Sequence, residues 1–499
     1  MTIPSVFGSP VPQRPGAEPF RPQCHFSARR NWINDPNGLV YFDGEYHLFF
    51  QYNPEGIEWG HMSWGHAVST DLLHWRELAV AIPETDQMIF SGSVVVDRGN
   101  VSGLGDGTSP PLLAYFTAFN PRSEIQSQHL AFSHDRGRTF THYAGNPILD
   151  PGATDFRDPK VFYHDETKAW VMAVVRAQLH VVQFYRSENL LDWTLAGEFS
   201  GSGSVAGQWE CPDLIRVGVD GAADQARWVL KIDVDVGLVA GGSGGQYFVG
   251  DFDGYRFSID PQHGNPGGDL VDCGPDFYAA VTWSDLPSAQ PGPVWVGWQS
   301  NHQSGKSYPT YPWRGAMSWP RALFLFQEAG TWRLGQRPID ATADLRTAAT
   351  SQPPVTLDQA AVLDLETPGP GFAQRLCLTD LAAGEASLTI ADAGGVLLTL
   401  AIDFPGRQLT FQRHESALCR SEHFARVTTT PLPGAATLDL DVICDGLLVE
   451  IFIAGGRRVY SASLFAQGAA RLQVAAVSGT VRIDRMAGWT LRQSIDFDT

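Results

Sequence analysis

Short apolar stretches closed by turns of Gly, Pro, Asn or Asp fill the chain, and no long amphipathic helix interrupts them. That patterning predicts an all-β protein. The strands recur in groups. WGHAVSTDLLHW (ending at Trp75), LAFSHDRGRTF (Phe140), VQFYRSENLLDW (Trp193) and YFVGDFDGYRF (Phe257) each run from an apolar strand through a polar turn to an aromatic residue. The closing aromatics lie 65, 53 and 64 residues apart, room for about four short strands per unit. A second element precedes these closures, in DPNGLVYFDGEYHLFFQ, DPKVFYHDETKAWVMAVV and CPDLIRVGVDGAADQARWVLKID. Each begins with an acid at or beside a proline, followed by a strand, a Gly/Asp turn and a second strand. A fifth, weaker unit runs through YAAVTWSDLPSAQPGPVWVGWQS. Around five four-stranded units predict a five-bladed β-propeller, whose radial repetition protects sheet edges. On pattern alone a stack of β-sandwiches stays open as the alternative.

The pattern changes after Leu334. GQRPIDATADLRTAATSQPP is polar and poor in aromatics, as a linker or connecting helix would be, and strands with Gly and Asp turns resume beyond it. About 150 residues of this kind suit one β-sandwich. The expected organisation is an N-terminal extension over 1–20, the propeller over 21–335, a linker over 336–354 and the sandwich over 355–499. A length of 499 residues agrees, being too long for one hydrophobic core.

Charge narrows the partners. The excess of acids gives −19 with His neutral, a field that repels phosphate backbones and argues against nucleic acid. No run of 18 apolar residues exists, which argues against a membrane-spanning helix. The proline-rich start lacks the apolar region of a secretory signal, so the chain reads as cytoplasmic or as the mature form of a secreted protein. Six scattered cysteines without a Cys-x-x-Cys pair argue against a disulfide scaffold or a zinc site.

Candidate chemistry comes from the repeat. Asp35, Asp158 and Glu210 occupy nearly the same place in it, and equivalent starts of the inner strands converge on a propeller's central channel. Three carboxylates crowded at one mouth raise at least one pKa, so an acid and an anion coexist near neutral pH. Such a pair is equipment for cleaving a glycosidic bond. Each acid alone reads more simply as turn chemistry, Asp-Pro-Asn-Gly being a good β-turn. The joint recurrence, with Arg157 beside Asp158, favours a site.

WINDPNG (Trp32 to Gly38), FRDPK (Phe156 to Lys160) and ECPD (Glu210 to Asp213) together resemble the signature of glycoside hydrolase family 32, the β-fructofuranosidases. FFQYNP, WGHMSWGHAVSTDLLHW, FSGS, GGSGGQYFVGDFDG, DFYA and PWRGAMSWPR extend the resemblance over nearly the whole chain, in family order. The resemblance implies a five-bladed propeller followed by a β-sandwich, and hydrolysis of terminal fructosyl units from fructans or sucrose with retention of configuration. By it, Asp35 is the nucleophile, Glu210 the general acid and base, and Asp158 the stabiliser of the transition state. Retention implies about 5–5.5 Å between the Asp35 and Glu210 carboxyls. Asn34, Gln51, Trp59, Ser91, Arg157 and Asp276 fall where the family contacts the terminal fructose, with Phe90 and Trp313 as apolar walls. The segments look most like exo-inulinases and levanases; an invertase or a fructosyltransferase is the alternative, sharing the same intermediate. A non-catalytic sugar-binding propeller would be expected to lose an acid, and all three are present. No cofactor or metal is implied, because two carboxyls and water suffice.

Other features carry less. Trp59 and Trp64 suit either sugar stacking or blade core. His61 and His66 are spaced poorly for a metal pair, and Gly241, Gly242, Gly244 and Gly245 lack the Lys-Ser/Thr of a phosphate loop. Asp233 and Asp235 alternate along a strand and make a poor calcium loop. Lys231, Arg314 and Arg321 read as ordinary supports. The sandwich is expected to cover and stabilise one flank of the propeller, with a sugar-binding module or a homodimer contact as the alternatives.

Overall fold

A computed structural model describes residues 18–288, 290, 292–339, 342–365, 367, 371–379, 384–419, 421–435 and 437–495. Most of the expected N-terminal extension, residues 1–17, lies outside them. Phe20 and Arg21 form no free tail: Phe20 packs edge-on against Phe465 at 5.3 Å, and the Arg21 guanidinium lies over the Trp313 ring at 4.8 Å.

The chain is all-β. Among the described residues, helix is confined to one turn at Thr342–Leu345 and three 3₁₀ turns. The N-terminal part builds successive antiparallel sheets of about four strands, opening on Asn31–Phe42, Met88–Val96, Phe156–His164, Trp209–Val219 and Tyr278–Thr282. These opening strands pack on one another in cyclic order, so the last lies against the first. The last two runs are fused into one nine-stranded sheet by a single parallel pair, Val219 with Leu325. Trp313–Arg314, late in the domain, adds a parallel strand to the edge of Asn31–Phe42 and ties the ring shut.

The recurring aromatics have a common job. Each lies at the start of the outer strand of its sheet and leans on the sheet before it in the ring. Phe140 meets Phe49 at 5.6 Å, Trp193 meets Tyr115 at 5.8 Å and Phe257 meets Phe199 at 5.6 Å. Trp75, in the first sheet, stacks on Trp283 beside the last at 6.3 Å. Large rings at these seams bury the sheet faces that a lone four-stranded sheet would leave wet.

The C-terminal part is a sandwich of a seven-stranded and a six-stranded sheet closed over one apolar core that includes Leu376, Leu400, Phe411, Leu440, Ile451 and Leu472. The expected linker is shorter than its polar composition suggested. Gly335–Pro338 completes the outer strand Thr331–Pro338, and Arg346–Gln352 pairs with Val481–Leu491 in the sandwich. Alternate residues of an edge strand face solvent, so it reads as polar as a loop does.

The seam between the two parts is charged and dry. Arg321 binds Glu450 at 2.6 Å and Asp272 at 2.9 Å, and His25 bridges Asp445 and Glu450 at 2.9 and 3.0 Å, all buried. The sandwich strand Arg458–Ser463 also hydrogen-bonds the backbone around Cys273 and Asp276. Lys231 and Arg321 are both fully buried, and Arg321 is a hub of this seam.

Candidate active site

The same irregularity occurs at the same point of all five opening strands. Between Ile33 and Pro36, Ile89 and Gly92, Arg157 and Lys160, Glu210 and Asp213, and Tyr278 and Val281, the opening strand spends one residue more than its partner. These are β-bulges, which bend a strand and re-aim its side chains. Proline favours them at positions 36, 159 and 212, because it has no N–H to give the ladder. Asp158, Cys211 and Ala279 take the left-handed conformation, with φ of 65°, 47° and 54°. Aspartate tolerates that readily, whereas Cys211 and Ala279 store strain of about 1–3 kcal/mol each. The bulges collect Asn34–Asp35, Phe90–Ser91, Asp158 and Glu210–Cys211 at one end of the ring.

Each acid is held differently. Asp35 accepts from Ser91 Oγ at 2.6 Å on one oxygen and from Asn34 Nδ2 at 2.9 Å on the other; Asn34 is itself fixed by the Trp32 indole N–H at 2.7 Å. Glu210 accepts from Arg157 at 3.0 Å on Oε1 and from the Tyr278 hydroxyl at 2.5 Å on Oε2, with His302 Nε2 3.7 Å away. Asp158 accepts the Cys211 backbone N–H at 2.8 Å, and the Cys211 thiol lies 3.7 Å from Asp35. The residue after Glu210 therefore touches both other acids. Arg157 also reaches Gln208 and lies 4.0 Å from Asp158.

Charge at the mouth is unbalanced. Burial pushes the Asp158 carboxyl up to about 7; Arg157 opposes this, while Glu210 and Asp35 add to it. Asp233, buried behind the acids and paired with Lys231, is pushed up to about 7 by burial first, with Asp35 and Glu210 contributing. Burial also acts on Glu210, but Arg157, His302 and the Tyr278 hydroxyl outweigh it and hold that carboxyl below its usual range. The site thus keeps a proton near neutrality. Asp158 lies one guanidinium away from Glu210. Burial, with Glu210 next, raises Tyr278 well above its ordinary value, so its hydroxyl donates.

Around the acids, Trp59 is 44% exposed and meets Phe90 edge-on at 6.0 Å, and Phe90 stacks on Phe119 at 4.9 Å. Gln51 is buried and donates to the Ile89 carbonyl at 3.0 Å, tying the first sheet to the second bulge. Two expected contacts lie elsewhere. Asp276 is fully buried at the domain seam, where its oxygens accept from Arg413, Asn301 and the Ser463 N–H, and burial keeps it from a sugar. Trp313 is only 2% exposed and packs with Tyr308, Phe424 and Phe465 in the seam instead of forming a wall. His66 stacks on Phe49 and shares a hydrogen bond with His47, while His61 is exposed beside Glu84; among the described residues no three His, Cys, Asp or Glu side chains are grouped as around a metal ion.

Sequence reasoning missed Cys211, Tyr278 and His302, and weighed Asp233 only as a calcium ligand. A signal existed for two of them: Cys211 and Tyr278 stand at the bulges, the repeat position that singled out the acids.

The sequence profile described as "Glycosyl hydrolases family 32 N-terminal domain" matches residues 25–338, and "Glycosyl hydrolases family 32 C terminal" matches residues 341–490. The chain belongs to glycosyl hydrolase family 32. It is 38% identical to the extracellular exo-inulinase of Aspergillus awamori over 93% of each chain. It is 47% identical to the levanase of Bacillus subtilis (strain 168) over 69% of this chain, a match spanning 50% of that levanase. Among solved structures, the Aspergillus awamori exo-inulinase superposes with a TM-score of 0.88 at 35% identity, covering 96% of this chain and 99% of that one. The fructofuranosidase of Schwanniomyces occidentalis complexed with fructose gives 0.86 at 30% identity, covering 95% and 99%. This family-32 chain is therefore a glycoside hydrolase by kinship, with a propeller followed by a sandwich.

Proposed function

We propose that the chain is a retaining, exo-acting β-fructofuranosidase that releases terminal fructose from inulin- or levan-type fructans and from sucrose. One observation carries the reading. Three carboxylates delivered by three separate bulges meet around one residue, Cys211, beside a guanidinium and a donated phenol. The names of the relatives, exo-inulinase, levanase and invertase, point to the same substrates.

In this reading the Asp35 carboxylate attacks C2 of the fructosyl unit while Glu210 gives a proton to the departing glycosidic oxygen. The Glu210 carboxylate then takes a proton from water, whose oxygen attacks C2, frees fructose and restores Asp35. Asp158 holds fructose hydroxyls and steadies the positive charge that develops at C2. The proton that Glu210 takes from water restores it for the next cycle, so the turnover needs no other proton donor. Arg157 and Ser91 orient the carboxylates and the sugar. Asn34 and Gln51 keep the two bulges in register, and Trp59 and Phe90 give the sugar an apolar rim. The catalytic domain is read as five-bladed, supported by five equivalent bulges and the cyclic packing of the opening strands.

Product analysis of the purified protein on inulin, levan and sucrose tests the proposal. Fructose as the sole product from the polymers supports it. Oligosaccharide products, or activity confined to sucrose, would replace exo-fructanase with endo action or transfer, or with invertase. Crystallographic carboxyl separations of about 6.5–9.5 Å between Asp35 and Glu210 would indicate inversion and remove the nucleophile.

A further inference from the structure

Asp276, displaced from the sugar site, lies on a bonded path into it. Its carboxylate is held by the Arg413 guanidinium of the sandwich and by Asn301, on the catalytic side. Asn301 in turn pins the turn that follows. Its Oδ1 accepts the backbone N–H groups of Gln303 at 2.9 Å and Ser304 at 2.7 Å. From the sandwich, Ser421 Oγ donates to the Gln303 carbonyl at 3.3 Å. Between Asn301 and Gln303 stands His302. Its ring meets Tyr278 edge-on at 4.7 Å and Trp298 at 5.7 Å, and its Nε2 lies 3.7 Å from Glu210 Oε2.

We propose that the sandwich positions the acid–base end of the active site: Arg413 and Asp276 fix the 301–304 turn, which holds His302 against Glu210. The proposal rests on the reading of Glu210 as the general acid and base. It replaces the expectation that the sandwich merely covers a flank. Stability gives little reason to keep a buried ion pair here, since an apolar pair of similar volume serves as well or better. A pair that must hold one turn in one place has a reason to be ionic and directional.

The charged and titratable groups around His302 are Glu210, Tyr278 and Asp235, with Arg157 on the far side of Glu210. The His302 ring is among the neighbours that hold the Glu210 carboxyl below its usual range. Withdrawing the ring lets the acid pair keep its proton to higher pH, and it also loosens the side of Glu210 that meets the leaving group. Arg413, Asp276 and Asn301 are positioning residues, acting only through the turn.

Three variants test this: H302Q; D276N/R413M, which removes both charges so that neither is stranded in the seam; and the combination. H302Q and D276N/R413M are each expected to move the alkaline limb of kcat/KM for sucrose upward by about 0.5 pH unit. Each is expected to lose about 3–10-fold in kcat on sucrose and less on an aryl fructoside, whose leaving group needs little protonation. The combined variant should move no further than either alone. In 13C-histidine-labelled protein, the His302 ring resonance, assigned by its loss in H302Q, should shift in D276N/R413M. A D276N/R413M protein with lowered Tm but a wild-type pH limb, leaving-group ratio and His302 resonance would overturn the proposal, as would additive effects in the combined variant. Wild-type protein that releases no fructose would instead sink the fructosidase reading, while the His302 resonance would still decide the positioning role.

Discussion

Two acid-rich clusters lie within this molecule, one buried and one half-open, and they are built on opposite principles. At the seam, Asp272, Asp276, Asp445 and Glu450 face Arg321, Arg413 and His25 through short, dry contacts. At the mouth, Asp35, Asp158, Glu210 and Asp233 face Arg157 and Lys231, with His302 at longer range. Every carboxyl of the seam is in contact with a cationic partner, and the seam is inert. At the mouth burial first, with the neighbouring Asp35 and Glu210 carboxyls adding to it, raises Asp158 and Asp233 to about 7. Compensation makes structure here, and its lack makes chemistry.

The comparison can be broken in several ways. Asp35→Asn should lower kcat by about 10⁴-fold or more on every fructoside with an unchanged circular-dichroism spectrum, because the amide keeps the Asn34 and Ser91 neighbours but cannot attack. Residual turnover within 100-fold of wild type, about 2.7 kcal/mol in barrier, would remove Asp35 from the reaction. Next, neutralising one acid in each cluster should change stability with opposite signs. Glu450→Gln takes from Arg321 and from His25 one of the two carboxylates that each binds, and is expected to cost about 3–5 kcal/mol in urea unfolding. Asp158→Asn relieves like-charge repulsion and should stabilise the fold at pH 8 by about 1–2 kcal/mol while abolishing activity. Losses of similar size from both would show that the clusters are alike.

The pH windows should also separate. His25 is raised to about 9 by Asp445 and Glu450 in spite of its burial. Its stabilisation is complete below about 6.5, its unfolded value, and fades as pH rises toward 9. Asp158, also raised, loses its contribution earlier, between about 4 and 7. Thermal unfolding should therefore weaken in two steps with rising pH, and kcat/KM should fall with the first. Activity held constant to pH 9 would detach the Asp158 proton from catalysis. The smallest expected effect is at the rim: Trp59→Ala should raise KM for inulin about 3–10-fold with little change in kcat, as loss of one partly exposed stacking ring does.

How far the sequence revealed this contrast varies by residue. The all-β ring and the meeting of the three acids at one end of it were legible, because each acid is tied to a proline and recurs at one point in a repeat. Asp276 and Trp313 read as site residues, yet they belong to the seam. Nothing local distinguishes an aspartate waiting for a sugar from one whose guanidinium partner lies in another domain. His302 left no trace either, because its neighbours Glu210 and Tyr278 open other strands and meet it only once the ring has closed. The linker misled for a simpler reason: half of an edge strand faces water.

The parallel pairing of Asn31 and Trp32 with Trp313 and Arg314 has a consequence for how the protein is made. The strand that bears Asp35 emerges early from the ribosome, but its last backbone partner arrives only when nearly all of the catalytic domain has been translated. Until then its edge offers unpaired N–H and C=O groups to any passing strand. A nascent chain arrested before Trp313 would therefore be expected to aggregate instead of resting as a partial ring, and the nucleophile's own strand would be the sticky end.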